Sequence, residues 1–228
     1  SALAAKKATS DIPIVFWAVG DPVGQGFAAS LARPGGNMTG FMDYRAELTG
    51  KRLALLKEVL PAVRRIAILS NEASPANNTT ALKDAENAAR SLGLELIVQS
   101  VRDPSDFQTA IEKVKRANAE AIYLIPDPLF RSNRARLAEA AQRSRLAWMG
   151  WAKEFAEDGA LIAYGIDFTE VARQTAGYVA RVLQGEKPGN LPIQQPAKIQ
   201  LVINLKVANV LGLTIPKSLL ELVDYVIE

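Results

Sequence analysis

Short apolar runs rich in β-branched residues recur along this chain, and segments with helical spacing separate them. Several runs are continuous rather than alternating, which is typical of parallel strands covered on both faces. They predict strands at Ile12–Val19, Ile66–Leu69, Leu94–Val101, Ala121–Ile125, Leu146–Met149, Leu161–Tyr164 and Ile199–Ile203. A Gly/Asp/Pro turn follows the first strand. After this turn we predict a helix and then a second strand, which ends at Phe41.

Between these runs, apolar residues return every three or four positions, as on one face of a helix. Leu48, Leu53, Leu56 and Leu60 form one such stripe, which Pro61 ends. Further helices are predicted after Ser74-Pro75, from Phe107 to Val114, and over Arg131–Ser144 and Thr169–Leu183. This alternation of strand and helix predicts an α/β fold with a parallel sheet and right-handed crossovers.

Two segments interrupt the alternation, Met42–Glu47 and Gly165–Asp167, and each is a candidate crossing between lobes. We expect residues 43–165 to form one complete α/β lobe, and residues 1–41 plus 168–195 to form part of the other. We expect residues 196–228 to form a C-terminal strand and helix, which the sequence does not assign to either lobe. A chain that crosses more than once makes a multi-strand hinge, which favours closure over a ligand.

Composition narrows the classes of function. Of 228 residues, 49% are hydrophobic and 22% charged, which is enough for a substantial core. Lys and Arg are scattered among acids and the net charge is +3, so we expect no nucleic-acid partner. Cysteine and histidine are absent, which excludes a Ser/His/Asp hydrolase and cysteine-based metal sites. An enzyme that uses carboxylates or lysine stays open.

Ligands of open α/β sheets bind beyond the carboxyl ends of the strands, and three polar residues follow strands here. Asp21 lies in the loop Gly20–Gly26, which matches neither glycine-rich phosphate motif, so nucleotide binding is not predicted. Asn71 and Asp127 follow two strands of the 43–165 lobe, at the same edge of its sheet. For each of the three, the alternative is a local turn or a helix cap.

Two further candidates lie near strand ends. Trp151 follows the strand at Leu146–Met149, and an aromatic wall beside carboxylates would suit an amino acid or another amphipathic molecule. A place in the core is its alternative. Asp167 lies at the second predicted crossing, where it either caps the helix that begins at Thr169 or faces the cleft. Of these two roles for Asp167, we favour the helix cap.

Several motifs along essentially the whole chain resemble one family. They are Ile12–Phe16 with Val19–Gly24, Ser30–Phe41, Leu48–Leu53, Pro126–Phe130, Tyr164–Asp167 and the tail Leu201–Pro216. The chain resembles an ABC-transporter substrate-binding protein of the tryptophan/tyrosine type, a family similar to type I periplasmic binding proteins. Ser30–Phe41 and the tail are the most specific of these motifs.

The resemblance implies two Rossmann-like, parallel-sheet lobes joined by a multi-strand hinge, with a small solute trapped between them. It implies an amino acid as the solute, an aromatic one included, and an ABC permease in the membrane as the partner. Periplasmic or other extracytoplasmic location, with or without a lipid anchor, also follows, whereas neither catalysis nor a cofactor is expected. Asp21, Asn71, Asp127, Trp151 and Asp167 are then the expected cleft residues, with carboxylates meeting a ligand ammonium.

The resemblance also predicts an incomplete first lobe. Family members begin with a βαβαβ unit, whereas here Ser1–Lys7 resembles the end of the helix just before the strand at Ile12. Two other classes stay open beside the importer: an α/β enzyme with carboxylate acid/base chemistry, and a ligand-sensing regulatory domain. The enzyme would need two carboxyl groups facing one cavity with perturbed pKa values.

Overall fold

The computed structural model of the chain describes residues 2–42, 45–196 and 198–228, which form two compact units. Unit 1 comprises residues 1–44 and 166–199, and unit 2 comprises residues 45–165 and 200–228. The chain therefore passes from one unit to the other three times. The first passage falls within the predicted crossing at Met42–Glu47, of which residues 43 and 44 lie outside the described residues.

Helices and strands alternate along most of the chain. The strands are β1 Ile14–Val19, β2 Met38–Met42, β3 Arg65–Asn71, β4 Glu95–Val101, β5 Ala121–Leu124, β6 Ala147–Gly150, β7 Ile162–Ile166, β8 Ile199–Asn204 and β9 Tyr225–Ile227. The helices are α1 Ala2–Ala8, α2 Arg45–Val59, α3 Pro75–Leu92, α4 Phe107–Arg116, α5 Pro128–Ser132, α6 Arg134–Ser144, α7 Lys153–Glu157, α8 Phe168–Leu183, α9 Leu205–Leu211 and α10 Lys217–Leu220. Short 3₁₀ turns lie at Pro104–Asp106 and Pro188–Asn190.

Unit 2 contains a seven-stranded sheet in the order β4-β3-β5-β6-β7-β8-β9. β3 pairs in parallel with β4 and β5, and the pairs β5–β6, β6–β7 and β8–β9 are parallel too. The continuous apolar runs form these strands because both sheet faces are covered, and β5 and β6 are buried at every position. The parallel directions bring the carboxyl ends of β3, β5, β6 and β7 to one edge of the sheet.

Unit 1 has a smaller sheet in which β1 and β2 pair in parallel, Ile14 opposite Met38. Among its described residues, apolar side chains form two groups. Phe16, Phe27 and Met38 belong to one, and Phe41 and Tyr178 pack in the other with ring centroids 5.0 Å apart. The Tyr178 hydroxyl donates to the carbonyl of Pro192 at 2.7 Å, which joins α8 to the segment that follows it.

The helix predicted after the Gly20–Gly26 loop is wrong. Residues 20–37 form turns, in which the N–H of Gln25 donates to the carbonyl of Asp21 and that of Phe27 to Pro22. The turn does not propagate because Gly26 adopts φ +68°, a left-handed conformation that ends right-handed helical geometry.

Two smaller differences concern helix and strand boundaries. The helix predicted over Arg131–Ser144 is divided at Asn133, whose φ of −124° and ψ of 28° are not helical, so that α5 ends and α6 begins there. The C-terminal tail also contains β9, which adds a parallel strand beside β8 and was not predicted. Within the described residues, no helix has the length and apolar character needed to cross a bilayer.

Candidate functional site

The carboxyl ends of β3 and β5 bring two of the predicted residues into direct contact. Asn71 ends β3 and Asp127 follows β5, and Asn71 Nδ2 donates to Asp127 Oδ1 at 2.9 Å. Their exposed fractions are only 9% and 5%, respectively. A polar pair buried at this edge of a parallel sheet is where such folds bind ligands.

Local hydrogen bonds fix the orientation of both side chains. Asp127 is the N-cap of α5, and its Oδ1 also accepts from the N–H of Leu129 at 2.9 Å. Asn71 Oδ1 accepts from the N–H of Ala73 at 3.0 Å, so its amide nitrogen is turned toward Asp127 and toward Ser74 Oγ at 3.4 Å. The capping alternative for Asp127 is therefore realised, and it leaves the second carboxylate oxygen, Oδ2, for another donor.

Asn78, on α3, joins this pair and was not predicted. Its Nδ2 donates to the carbonyl of Asn71 at 2.6 Å, which fixes the amide orientation. Its Oδ1 is buried and has no hydrogen-bond partner in the described part of the chain. A buried unpaired acceptor is costly. Asn71, Ser74, Asn78 and Asp127, which we call the β3–β5 cluster, thus carry acceptor capacity that suits a donor such as an ammonium group.

Arg52 is a second buried polar group that the sequence interpretation missed. It lies on α2 and is 3% exposed, and its Nε donates to the carbonyl of Tyr164 at 2.8 Å. Its Nη1 is buried without a hydrogen-bond partner among the residues described. The signal was present in the sequence, because Arg52 lies four residues from both Leu48 and Leu56, on the apolar stripe of that helix.

Trp151 lies in the interior of unit 2, with an exposed fraction of 6%. Its ring centroid is 4.2 Å from that of Phe155 on α7, at an interplanar angle of 46°. The carbonyl of Trp151 lies against Gly165, so closely that a Cβ on Gly165 would stand 1.9 Å from it. Both sequence alternatives therefore stay compatible with its position, and its role as an aromatic wall stays a prediction.

Asp21 and Asp167 belong to unit 1, and each has a local structural role. Asp21 is exposed, and its Oδ1 accepts from the N–H of Gly24 at 2.8 Å. Asp167 caps α8, since its Oδ1 accepts from the N–H groups of Thr169 at 3.0 Å and Glu170 at 3.1 Å. Their roles as ligand-binding residues stay predictions.

Several exposed carboxyl groups have shifted pKa values for structural reasons. Hydrogen bonds from the backbone of Ser105 lower the pKa of Asp103, and those from Arg102 and Asp103 lower the pKa of Asp106. A hydrogen bond from Arg181 lowers the pKa of Glu186. A general acid requires the opposite shift. The hydrogen bonds place Asp103 and Asp106 in a helix cap and Glu186 in an ion pair with Arg181. No group of three or more metal-ligating side chains was found among the described residues.

The fold of parallel-sheet units, with polar residues at the carboxyl ends of its strands, is similar to that of type I periplasmic binding proteins. The family model for ABC transporter substrate binding protein matches residues 1–227, and the chain belongs to this family.

Individual relatives are similar over nearly the whole chain. A tyrosine-binding protein of Clostridioides difficile (strain R20291) is 28% identical over 204 residues, which cover 90% of this chain and 58% of that protein. A conserved domain protein from Vibrio cholerae O1 biovar El Tor strain N16961 superposes with a TM-score of 0.88 at 33% identity, covering 99% of this chain and 75% of that one. An ABC domain from Streptococcus pneumoniae, in complex with L-Trp, has a TM-score of 0.86 at 28% identity and covers 99% and 77%. The chain thus spans just over half the length of the tyrosine-binding relative.

Proposed function

We propose that this chain is the solute-binding component of an ABC importer and that its solute is an amino acid, with aromatic amino acids favoured. The family and the relatives that bind tyrosine or L-Trp support the class of solute. The observation that carries the proposal is the β3–β5 cluster, in which a buried carboxylate is held by Asn71 and by the N-terminus of α5.

The cluster suits the ammonium group of an amino acid. Both hydrogen bonds that position Asp127 go to Oδ1, which leaves Oδ2 to accept from a ligand, and Asn78 Oδ1 is a second acceptor without a partner among the described residues. A charge-assisted hydrogen bond in such a buried place contributes about 1.5–3 kcal/mol, which corresponds to about a tenfold to hundredfold change in affinity.

Calorimetric titration with L-tyrosine and L-tryptophan tests this proposal. Asp127→Asn should weaken binding by about tenfold to a hundredfold, because it removes the charge while keeping a good N-cap residue and an acceptor for Asn71. The matched control is Asp103→Asn, the same substitution at another N-cap, which should leave affinity unchanged. The propionate analogues of both ligands, which lack the ammonium group, should not distinguish Asp127→Asn from the unsubstituted protein.

Three outcomes would contradict the proposal or the site that it assigns. If neither amino acid binds, the solute class is wrong, and if a bound compound is consumed, the protein is an enzyme. Equal affinity of Asp127→Asn and the unsubstituted protein for L-tyrosine would remove Asp127 from the site. The same proposal includes a location outside the cytoplasm and delivery of the solute to an ABC permease in the membrane. Trapping by hinge closure stays a prediction, and small-angle scattering with and without solute checks it.

A further inference from the structure

Arg52 is a buried cation for which the described residues supply no anion. It donates one hydrogen bond, from Nε to the carbonyl of Tyr164, and its buried Nη1 donates none within the described chain. No carboxylate of those residues forms an ion pair with it. One turn earlier on the same helix face is Thr49, a neutral residue whose hydroxyl is 3.4 Å from that of Tyr123.

Such an arrangement is unfavourable in a protein that binds nothing there. A guanidinium taken out of water loses its hydration, and only a well-placed anion with additional hydrogen bonds compensates for the loss. An apolar residue at position 52 would continue the stripe of Leu48 and Leu56 without that cost. The retained charge and its unpaired Nη1 therefore point to an anionic group that arrives from outside the chain.

The position of Arg52 connects it with the solute site. Tyr164 and Gly165 lie near the carboxyl end of β7, which is at the same edge of the parallel sheet as Asn71 and Asp127. A Cβ on Gly165 would be 3.2 Å from Arg52 Nη2 and 1.9 Å from the carbonyl of Trp151. The guanidinium of Arg52 and the carbonyl of Trp151 therefore both lie next to Gly165. Trp151 is the residue that the sequence predicts as an aromatic wall.

We propose that Arg52 forms an anion subsite that binds the carboxylate of the solute, so that the protein selects aromatic amino acids over the corresponding amines. The subsite rests on the proposed function and deepens it: the β3–β5 cluster binds the ammonium group, and Arg52 requires a carboxylate. A guanidinium presents paired N–H donors that match the two oxygens of a carboxylate. Because Nη1 is shielded, the carboxylate reaches it by displacing the groups that cover it.

The test compares amino acids with their decarboxylated analogues. In calorimetric titrations, the unsubstituted protein should bind L-tyrosine at least tenfold more tightly than tyramine, and L-tryptophan at least tenfold more tightly than tryptamine. Arg52→Met should lose this preference while it keeps the affinity for both amines. Lys57→Met is the matched control, because Lys57 lies on the same helix and also donates to a backbone carbonyl, that of Val63. It should keep the preference.

Thermal unfolding of the solute-free proteins gives an independent readout. The midpoint of Arg52→Met should not fall, since an uncompensated buried charge is replaced by an apolar side chain. Sodium acetate, compared with sodium chloride at equal ionic strength, should raise the midpoint of the unsubstituted protein and leave that of Arg52→Met unchanged.

The outcomes separate the inference from the function on which it rests. If no amino acid binds but acetate acts through Arg52, the proposed function fails and the anion site stands. If amino acids bind and Arg52→Met keeps the preference for amino acids over amines, the Arg52 subsite is ruled out and the proposed function stands. A lowered midpoint with unchanged selectivity would show that Arg52 has a structural role only.

Discussion

Gly165 and Gly177 show how differently two glycines respond to a methyl group. A Cβ at Gly165 would lie 1.9 Å from the carbonyl oxygen of Trp151, a backbone atom that cannot give way cheaply, whereas one at Gly177 on α8 would have no neighbour within 4 Å. We expect Gly165→Ala to reduce the free energy of unfolding by about 1–3 kcal/mol through overpacking. Gly177→Ala should raise it by about 0.4–1 kcal/mol, because alanine favours the helix. Denaturant titration measures both, and equal effects would contradict the packing argument.

At the same scale, the candidate site was predictable only where position in the sequence implied position in space. Asn71 and Asp127 follow strands, and parallel strands bring such residues to one edge, so their proximity could be predicted. The unpaired acceptor of Asn78 and the unpaired donor of Arg52 could not, because pairing is a property of neighbours that are distant in the chain. A charged residue within an apolar stripe was the one available indication of Arg52.

At the scale of elements, Glu120 connects the starts of two neighbouring strands. Its Oε2 accepts from the N–H groups of Arg64 and Arg65, at 2.8 Å each, and these bonds lower its pKa. A lowered pKa in the folded state contributes stability that is present above the ordinary carboxyl value of about 4.3 and is lost as the pH falls through the folded value. The side chain is largely exposed, so we expect a contribution below about 1 kcal/mol at neutral pH.

Glu120→Gln should therefore lower the free energy of unfolding at pH 7 and change it little at pH 3. The control is Glu139→Gln, which removes an exposed ion pair with Arg143 at 3.9 Å. Urea titrations at both pH values measure the difference. A loss of stability that is equal at pH 7 and pH 3 would show that the negative charge of Glu120 does not matter.

The predicted elements succeeded where periodicity dominates and failed where single residues decide. Apolar runs located β3 to β8 to within two residues at each end. The pattern is clearest in β5 and β6, which are buried at every position because both sheet faces are covered, whereas the edge strand β4 is mostly exposed or half-buried. The absent helix after Gly20 and the division at Asn133 depend on one backbone conformation each. β9 is short and half exposed, with Tyr225 and Val226 at 39% and 42%, so its apolar pattern is weak.

At the scale of the whole molecule, unit 2 depends on the last segment of the chain. Residues 200–228 supply most of β8, which lies between β7 and β9, and bury Leu201, Ile203 and Leu219 in the core with residues of 45–165. We expect a protein that ends at residue 199 to lose the cooperative unfolding transition of unit 2. Removing residues 225–228 alone deletes the half-exposed edge strand and should retain it. Near-UV circular dichroism during heating checks both, and a cooperative transition in the shorter protein would contradict this dependence.

This arrangement also sets an order of events during synthesis. β7 is complete when the ribosome reaches residue 166, but its neighbour β8 is translated only by residue 204. At about 5–20 residues per second, the nascent chain waits several seconds with β7 unpaired on one side. Until then β7 has an open edge, which is a template for pairing with another chain. We therefore expect slower synthesis of residues 167–204 to lower the yield of folded protein.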